Sequence, residues 1–172
     1  MKEITPPTES YPYPSLALDP AKIVALTESL MNANFVYGLG AKIEPLSDQA
    51  EDVPQSQRKV DCSGFVRWAI YHALGSPADY DVPDGSYNEH HTWVERVGFK
   101  ASDYAAGFLS DNAVRIAFLE PSQSPENIGH VLLLINGATC ESHGSHGPDM
   151  RHWGALAYHK VMSIYVLTPP TP

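Results

Sequence analysis

Gly129-His130-Val131-Leu132-Leu133-Leu134-Ile135-Asn136-Gly137-Ala138-Thr139-Cys140-Glu141-Ser142-His143 is the stretch from which the rest of this chain is best read. Its apolar run, 131–135, is short and preceded by glycine, which reads as a buried strand. Asn136-Gly137 provides the pair of residues that tolerate positive φ in a two-residue hairpin turn. The chain should therefore return antiparallel through 139–142. His130 then opens a buried strand, where it can act as a base. Alternation puts Glu141 and His143 on one face of that strand and Cys140 and Ser142 on the other.

Upstream, Asp61-Cys62-Ser63-Gly64-Phe65-Val66 marks the change from an irregular segment to an amphipathic helix. Phe65, Val66, Ala69, Ile70, Ala73 and Leu74 form one wide apolar stripe at helical spacing. Gly75 supplies a stop and Pro77 prevents continuation. Asp61 or Ser63 can cap the start by accepting from its orphan N–H groups. Cys62 thus lies within the first turn, where backbone N–H groups and the helix dipole favour an anion. A thiolate there is a nucleophile, and a histidine at a strand start can serve it as a base. Taken alone, Cys62 reads equally well as a small buried residue; the downstream histidine decides for a cysteine peptidase or amidase.

The 172 residues suit one domain, with 43% hydrophobic and 18% charged residues and a net charge of −9. That charge argues against nucleic-acid binding and against docking on anionic membranes. No apolar stretch reaches the roughly 18–20 residues that span a bilayer, and the N-terminus lacks the apolar core of a secretory signal. Production in a bacterial or phage-infected cytoplasm with both cysteines reduced is the expectation. Residues 1–18 read as an extended, proline-rich arm, and 19–172 as a single domain. Asp19-Pro20 starts a helix that ends near 32–34. A glycine-broken segment at 35–40 and a polar loop to about Lys59 follow. Residues 77–91 read as mostly loop, 92–99 as a short helix, Val114–Leu119 and 161–167 as strands. The order predicts an α+β fold, N-terminal helices packed on a central antiparallel sheet.

Tyr37-Gly38-Leu39-Gly40, Asp61-Cys62-Ser63-Gly64-Phe65-Val66 and Gly129-His130-Val131, in this order, resemble the motifs of the NlpC family of papain-like cysteine peptidases. The resemblance covers most of the chain and implies a papain-like domain that hydrolyses the peptide stems of bacterial peptidoglycan. It implies Cys62 as nucleophile and His130 as base. It implies a third catalytic residue about a dozen positions on, either Glu141 or His143, with Glu141 favoured by the short turn. Tyr37, Asp61 and Ser63 are the implied substrate-side residues. The 68-residue spacing from Cys62 to His130 exceeds the family core, so an insertion is expected around 76–127. No cofactor is implied. With no attached wall-binding repeat in the sequence, delivery as a secreted antibacterial effector, a phage lysin or a cytosolic recycling enzyme would each suit. The effector case would bring an immunity protein or secretion-apparatus partner. The domain is expected to be monomeric.

The residues leave other chemistries open: an amidase, a deamidase or an acyltransferase shares the same Cys–His pair, and a non-catalytic wall binder has no need of one. Cys140-x-x-His143-x-x-His146 has ligand residue types for zinc but sits in a glycine- and serine-rich loop without a second ligand pair, so no metal is expected. Trp68, Trp93 and Trp153 read as core or cleft-wall aromatics.

Overall fold

The computed structural model describes residues 4–5, 11–144 and 146–171. The chain builds β1 (Ile4–Thr5), β2 (Ser15–Leu16), α1 (Pro20–Asn32), α2 (Cys62–Ala73), a π-helical turn (Asn88–Val94) running into α3 (Glu95–Val97), and strands β3 (Lys100–Ser102), β4 (Val114–Leu119), β5 (His130–Ile135), β6 (Ala138–His143), β7 (Gly147–Asp149) and β8 (Ser163–Thr168). Six strands form one antiparallel sheet in the order β3-β8-β4-β5-β6-β7. The fold is α+β, and no helix among the described residues is long and apolar enough to cross a membrane.

Both main helices start where their caps direct. The Asp19 carboxylate accepts from the Ala21 N–H at 2.9 Å with Pro20 opening α1, and the Asp61 carboxylate accepts from the Gly64 N–H at 2.7 Å to open α2. Each such cap contributes about 1 kcal/mol. Gly75, at φ +83°, ends α2. The inward stripe of α2 (Phe65, Val66, Trp68, Ala69, Ile70) is fully buried in one core with Val131, Leu133 and Ile135 of β5. At roughly 1.5–3 kcal/mol per large buried side chain, this contact holds the helix start against the sheet. The opposite face of the sheet buries Leu119, Leu132, Leu134, Met162 and Ile164 with Trp153 in a second cluster.

The β5–β6 hairpin turns through Asn136 (φ +48°) and Gly137 (φ +80°), as its turn residues require. Other segments differ from the sequence reading. The segment read as loop up to His91 becomes helical at Ser86 and buries Glu89 and His90, because Trp93 and Val94 pull the whole turn onto the core. The last strand begins at Ser163, since residues Ala157–Val161 form a 3-10 turn. The polar loop before Lys59 is anchored by buried Ile43, Ala50 and Val53. The stretch 76–127 contributes β3 and the fully buried β4, which lies inside the sheet between β8 and β5. Of the N-terminal arm, Leu16 is buried and its carbonyl accepts from Thr168 Oγ1 at 2.8 Å; residues 1–3 and 6–10 lie outside the described residues.

Candidate active site

Two facing elements bring the sequence-predicted cysteine and histidine together. Cys62 is the first residue of α2 and His130 the first of β5. The two side chains are close enough that Cys62 acts directly on the His130 imidazole. His130 Nε2 lies 2.6 Å from Glu141 Oε2, which leaves Nδ1 as the ring nitrogen for the thiol. The β5–β6 register explains the choice of partner. Leu133 pairs with Cys140, so continuing the ladder sets Glu141 diagonal to His130, within reach of a long side chain. His143 turns instead to Asp149, 3.0 Å away.

Glu141 is completely buried and fully engaged. Arg151 Nε donates to its Oε1 at 2.8 Å and Thr139 Oγ1 donates to the same oxygen at 2.7 Å. Burial alone would push this carboxyl up, but the hydrogen bonds from His130 and Arg151 hold it well below its usual range. His130 responds in the opposite sense. Burial pulls it down, yet its hydrogen bonds to Cys62 and Glu141 and the charges on both raise it to about 9. The imidazole is therefore cationic at neutral pH, with the Glu141 carboxylate as its counter-ion.

Asp61 and Ser63 are buried and committed to their own loop. Asp61 caps α2 and accepts from Gly40 N–H at 3.1 Å. Lys42 Nζ donates to both Asp61 oxygens at 2.6 and 2.8 Å and to Ser63 Oγ at 2.9 Å. Asp84 lies 2.8 Å from the same ammonium. Burial disfavours that charge, but the two carboxylates outweigh it and raise Lys42. Gly64 is required here because a Cβ would stand 2.8 Å from Lys42 Cδ and 2.9 Å from Asp61 Oδ1. Tyr37, His130, His143, Arg151, Tyr158 and Ile128 line a cleft of about 450 Å³. Tyr37 is close enough to Cys62 and Asp61 that their charges add to burial in raising its hydroxyl pKa. The β6–β7 hairpin closes on this wall: a Cβ on Gly147, at φ +78°, would lie 2.8 Å from Val36 Cα and 2.9 Å from Tyr37 N.

Four contributors escaped the sequence reading. Lys42, Arg151 and Tyr158 come from segments with no motif, although a basic residue is what a buried Asp or Glu demands. Arg151 also donates to Tyr158 OH at 2.9 Å, which steadies the guanidinium behind Glu141. The fourth is Glu89, which is fully buried, and among the described residues neither of its oxygens has a hydrogen-bond partner. Burial raises its pKa well above the ordinary range, and the charge of Cys62 adds to the effect. Its π-helical setting is a rare geometry that recurs at functional sites.

Cys140 shows what an uninvolved thiol looks like in this fold. It points to the helix side of the sheet, completely buried, and burial pushes it up to about 11. Trp68, Trp93 and Trp153 are all buried; Trp153 Nε1 donates to Tyr104 O at 2.9 Å. No protein-family model matches the sequence, and no curated protein matches it.

Proposed function

We propose that this protein is a cysteine hydrolase of the papain-like NlpC type, cutting an amide bond in the peptide stems of bacterial peptidoglycan. The observation that carries the chemistry is His130, which faces Cys62 at the start of α2 and lies 2.6 Å from Glu141 on its other side. Nucleophile, base and orienter in one line form the arrangement that activates a thiol for acyl transfer.

The steps follow from these groups. With His130 carrying the proton, Cys62 Sγ attacks the scissile carbonyl carbon. The developing oxyanion meets the helix start, where the N–H of Cys62 has no intrahelical acceptor. His130 passes its proton to the departing amine as the C–N bond breaks, leaving an acyl-thioester on Cys62. Now neutral, His130 takes a proton from water, which attacks the thioester and releases the acid and the thiolate. Glu141 keeps the ring oriented and stabilises its cationic form; it is the orienter in this reading, with His143 a residue of the cleft wall. Asp61, Ser63 and Lys42 hold the loop that presents the nucleophile.

The substrate class rests on the three sequence motifs around Tyr37, Cys62 and His130. Digestion of purified peptidoglycan by the wild type and by Cys62→Ala, with the products resolved by mass spectrometry, tests it. New fragments cut within the stem, absent with the variant, are expected. Intact stems with the wild type would overturn the stem-endopeptidase reading. Release of whole stems from the sugar would reassign the enzyme as an amidase.

A further inference from the structure

We infer that His143, His146 and Asp149 form a binding site for a divalent transition metal of the Zn²⁺ class at the tip of the β6–β7 hairpin. The three side chains bring two imidazoles and one carboxylate together with their ligand atoms within 4.8 Å of one another. His143 Nε2 and Asp149 Oδ2 are 3.0 Å apart. Two ligands held about 2.1 Å from a tetrahedral zinc stand about 3.4 Å apart, so this pair needs to open by only a few tenths of an ångström to take an ion. The His143 and His146 rings are tilted at 50° with centroids 5.4 Å apart, which lets both nitrogens converge on one ion.

The hairpin supplies the supporting geometry. His143 pairs with Gly147 across the strands, which places Asp149 diagonal to it on the same face. Asp149 Oδ1 accepts from the Met150 N–H at 2.9 Å, fixing the carboxylate and leaving Oδ2 turned toward His143. A ligand oxygen oriented by a backbone donor is the kind of outer contact that tunes metal sites. His146 is exposed, so the movement that closes the triangle falls on an unencumbered side chain. Its backbone N–H donates to His143 O at 3.2 Å and closes the turn that carries both histidines.

Two other candidate sets fit less well. Cys140, the ligand that sequence spacing offers, lies on the opposite face of β6. His90 and His91 stack at 4.0 Å, and their four ring nitrogens already meet Glu95, Glu120 and Tyr165. Three protein ligands leave a fourth position of the His143 site open, and His143 itself lines the cleft.

Titration of the full chain carrying Cys62→Ala with ZnCl₂, followed by calorimetry, tests the site without interference from the reactive thiol. One saturable Zn²⁺ per chain at micromolar concentration is expected, with a rise in melting temperature on addition of the ion. His146→Asn and Asp149→Asn should each weaken binding at least about tenfold and abolish the thermal shift. Their unchanged melting temperature without zinc would show that the fold is intact. His91→Asn should leave binding unaltered. Absence of saturable binding, or binding lost in His91→Asn but kept in the other two variants, would overturn the assignment.

Discussion

Two buried glutamates flank the Cys62–His130 pair, and they live in opposite conditions. Glu141 accepts from His130, Arg151 and Thr139 and is held ionised. Glu89 has no hydrogen-bond partner among the described residues, and burial pushes its pKa well up. The residue type is the same and the burial is the same; the partners decide the charge. An ionised Glu141 can orient and charge an imidazole.

The largest expected effect comes from removing the engaged carboxylate. Glu141→Ala strands the half-buried Arg151 guanidinium and should cost about 3–5 kcal/mol in denaturant unfolding. It should also lower kcat/KM by about 10²–10⁴-fold. Glu141→Gln keeps the shape, so the stability cost should shrink while the pH profile moves. With His130 at about 9, wild-type activity should fall as pH rises through that value. Without the carboxylate the alkaline limb should shift toward neutrality. A limb that stays in place would remove Glu141 from the role of orienter.

The smaller effects concern pH and stability. The folded-state pKa of Glu141 is depressed, so its contribution is present above the ordinary carboxyl value of 4.5 and is lost as pH falls. Glu89 is raised, so its neutral form is favoured below 4.5 and folding is opposed increasingly as pH rises. Replacing Glu89 by the neutral isostere Gln should therefore raise the melting temperature at pH 8 and leave it unchanged near pH 4. A fall at pH 8 comparable to that of Glu141→Gln would erase the distinction between the two residues. His130, raised from 6.5 to about 9, contributes stability that is complete below 6.5 and lost as pH passes 9.

The contrast between the glutamates also marks what the sequence reveals. Glu141 was one of two candidates that the NlpC resemblance implied, the short Asn136-Gly137 turn favouring it over His143. The caps at Asp19 and Asp61, the hairpin at Asn136-Gly137 and the strand Val114–Leu119 were legible because each is a local pattern with a local cause. Glu89 was not, because it lies among turn-forming residues and is carried inward by Trp93 and Val94, whose burial is a tertiary fact. Lys42 reaches Asp61 from 19 positions away, a contact that no local period encodes. The sheet order was hidden too, since β8 enters between β3 and β4 only after the rest of the chain is placed. Asp149 belongs with the histidines of the hairpin tip through β7, a three-residue strand without a periodic signal.

The pairing of Cys62 with His130 is tested most directly by the alkylation rate of each cysteine, followed by mass spectrometry across pH 5 to 8 with a small uncharged reagent. Cys62 should react rapidly near pH 6 in the wild type, slow at least tenfold in His130→Ala, and leave Cys140 unmodified. Equal rates in wild type and His130→Ala, or a Cys140 as reactive as Cys62, would contradict an activated nucleophile at the start of α2.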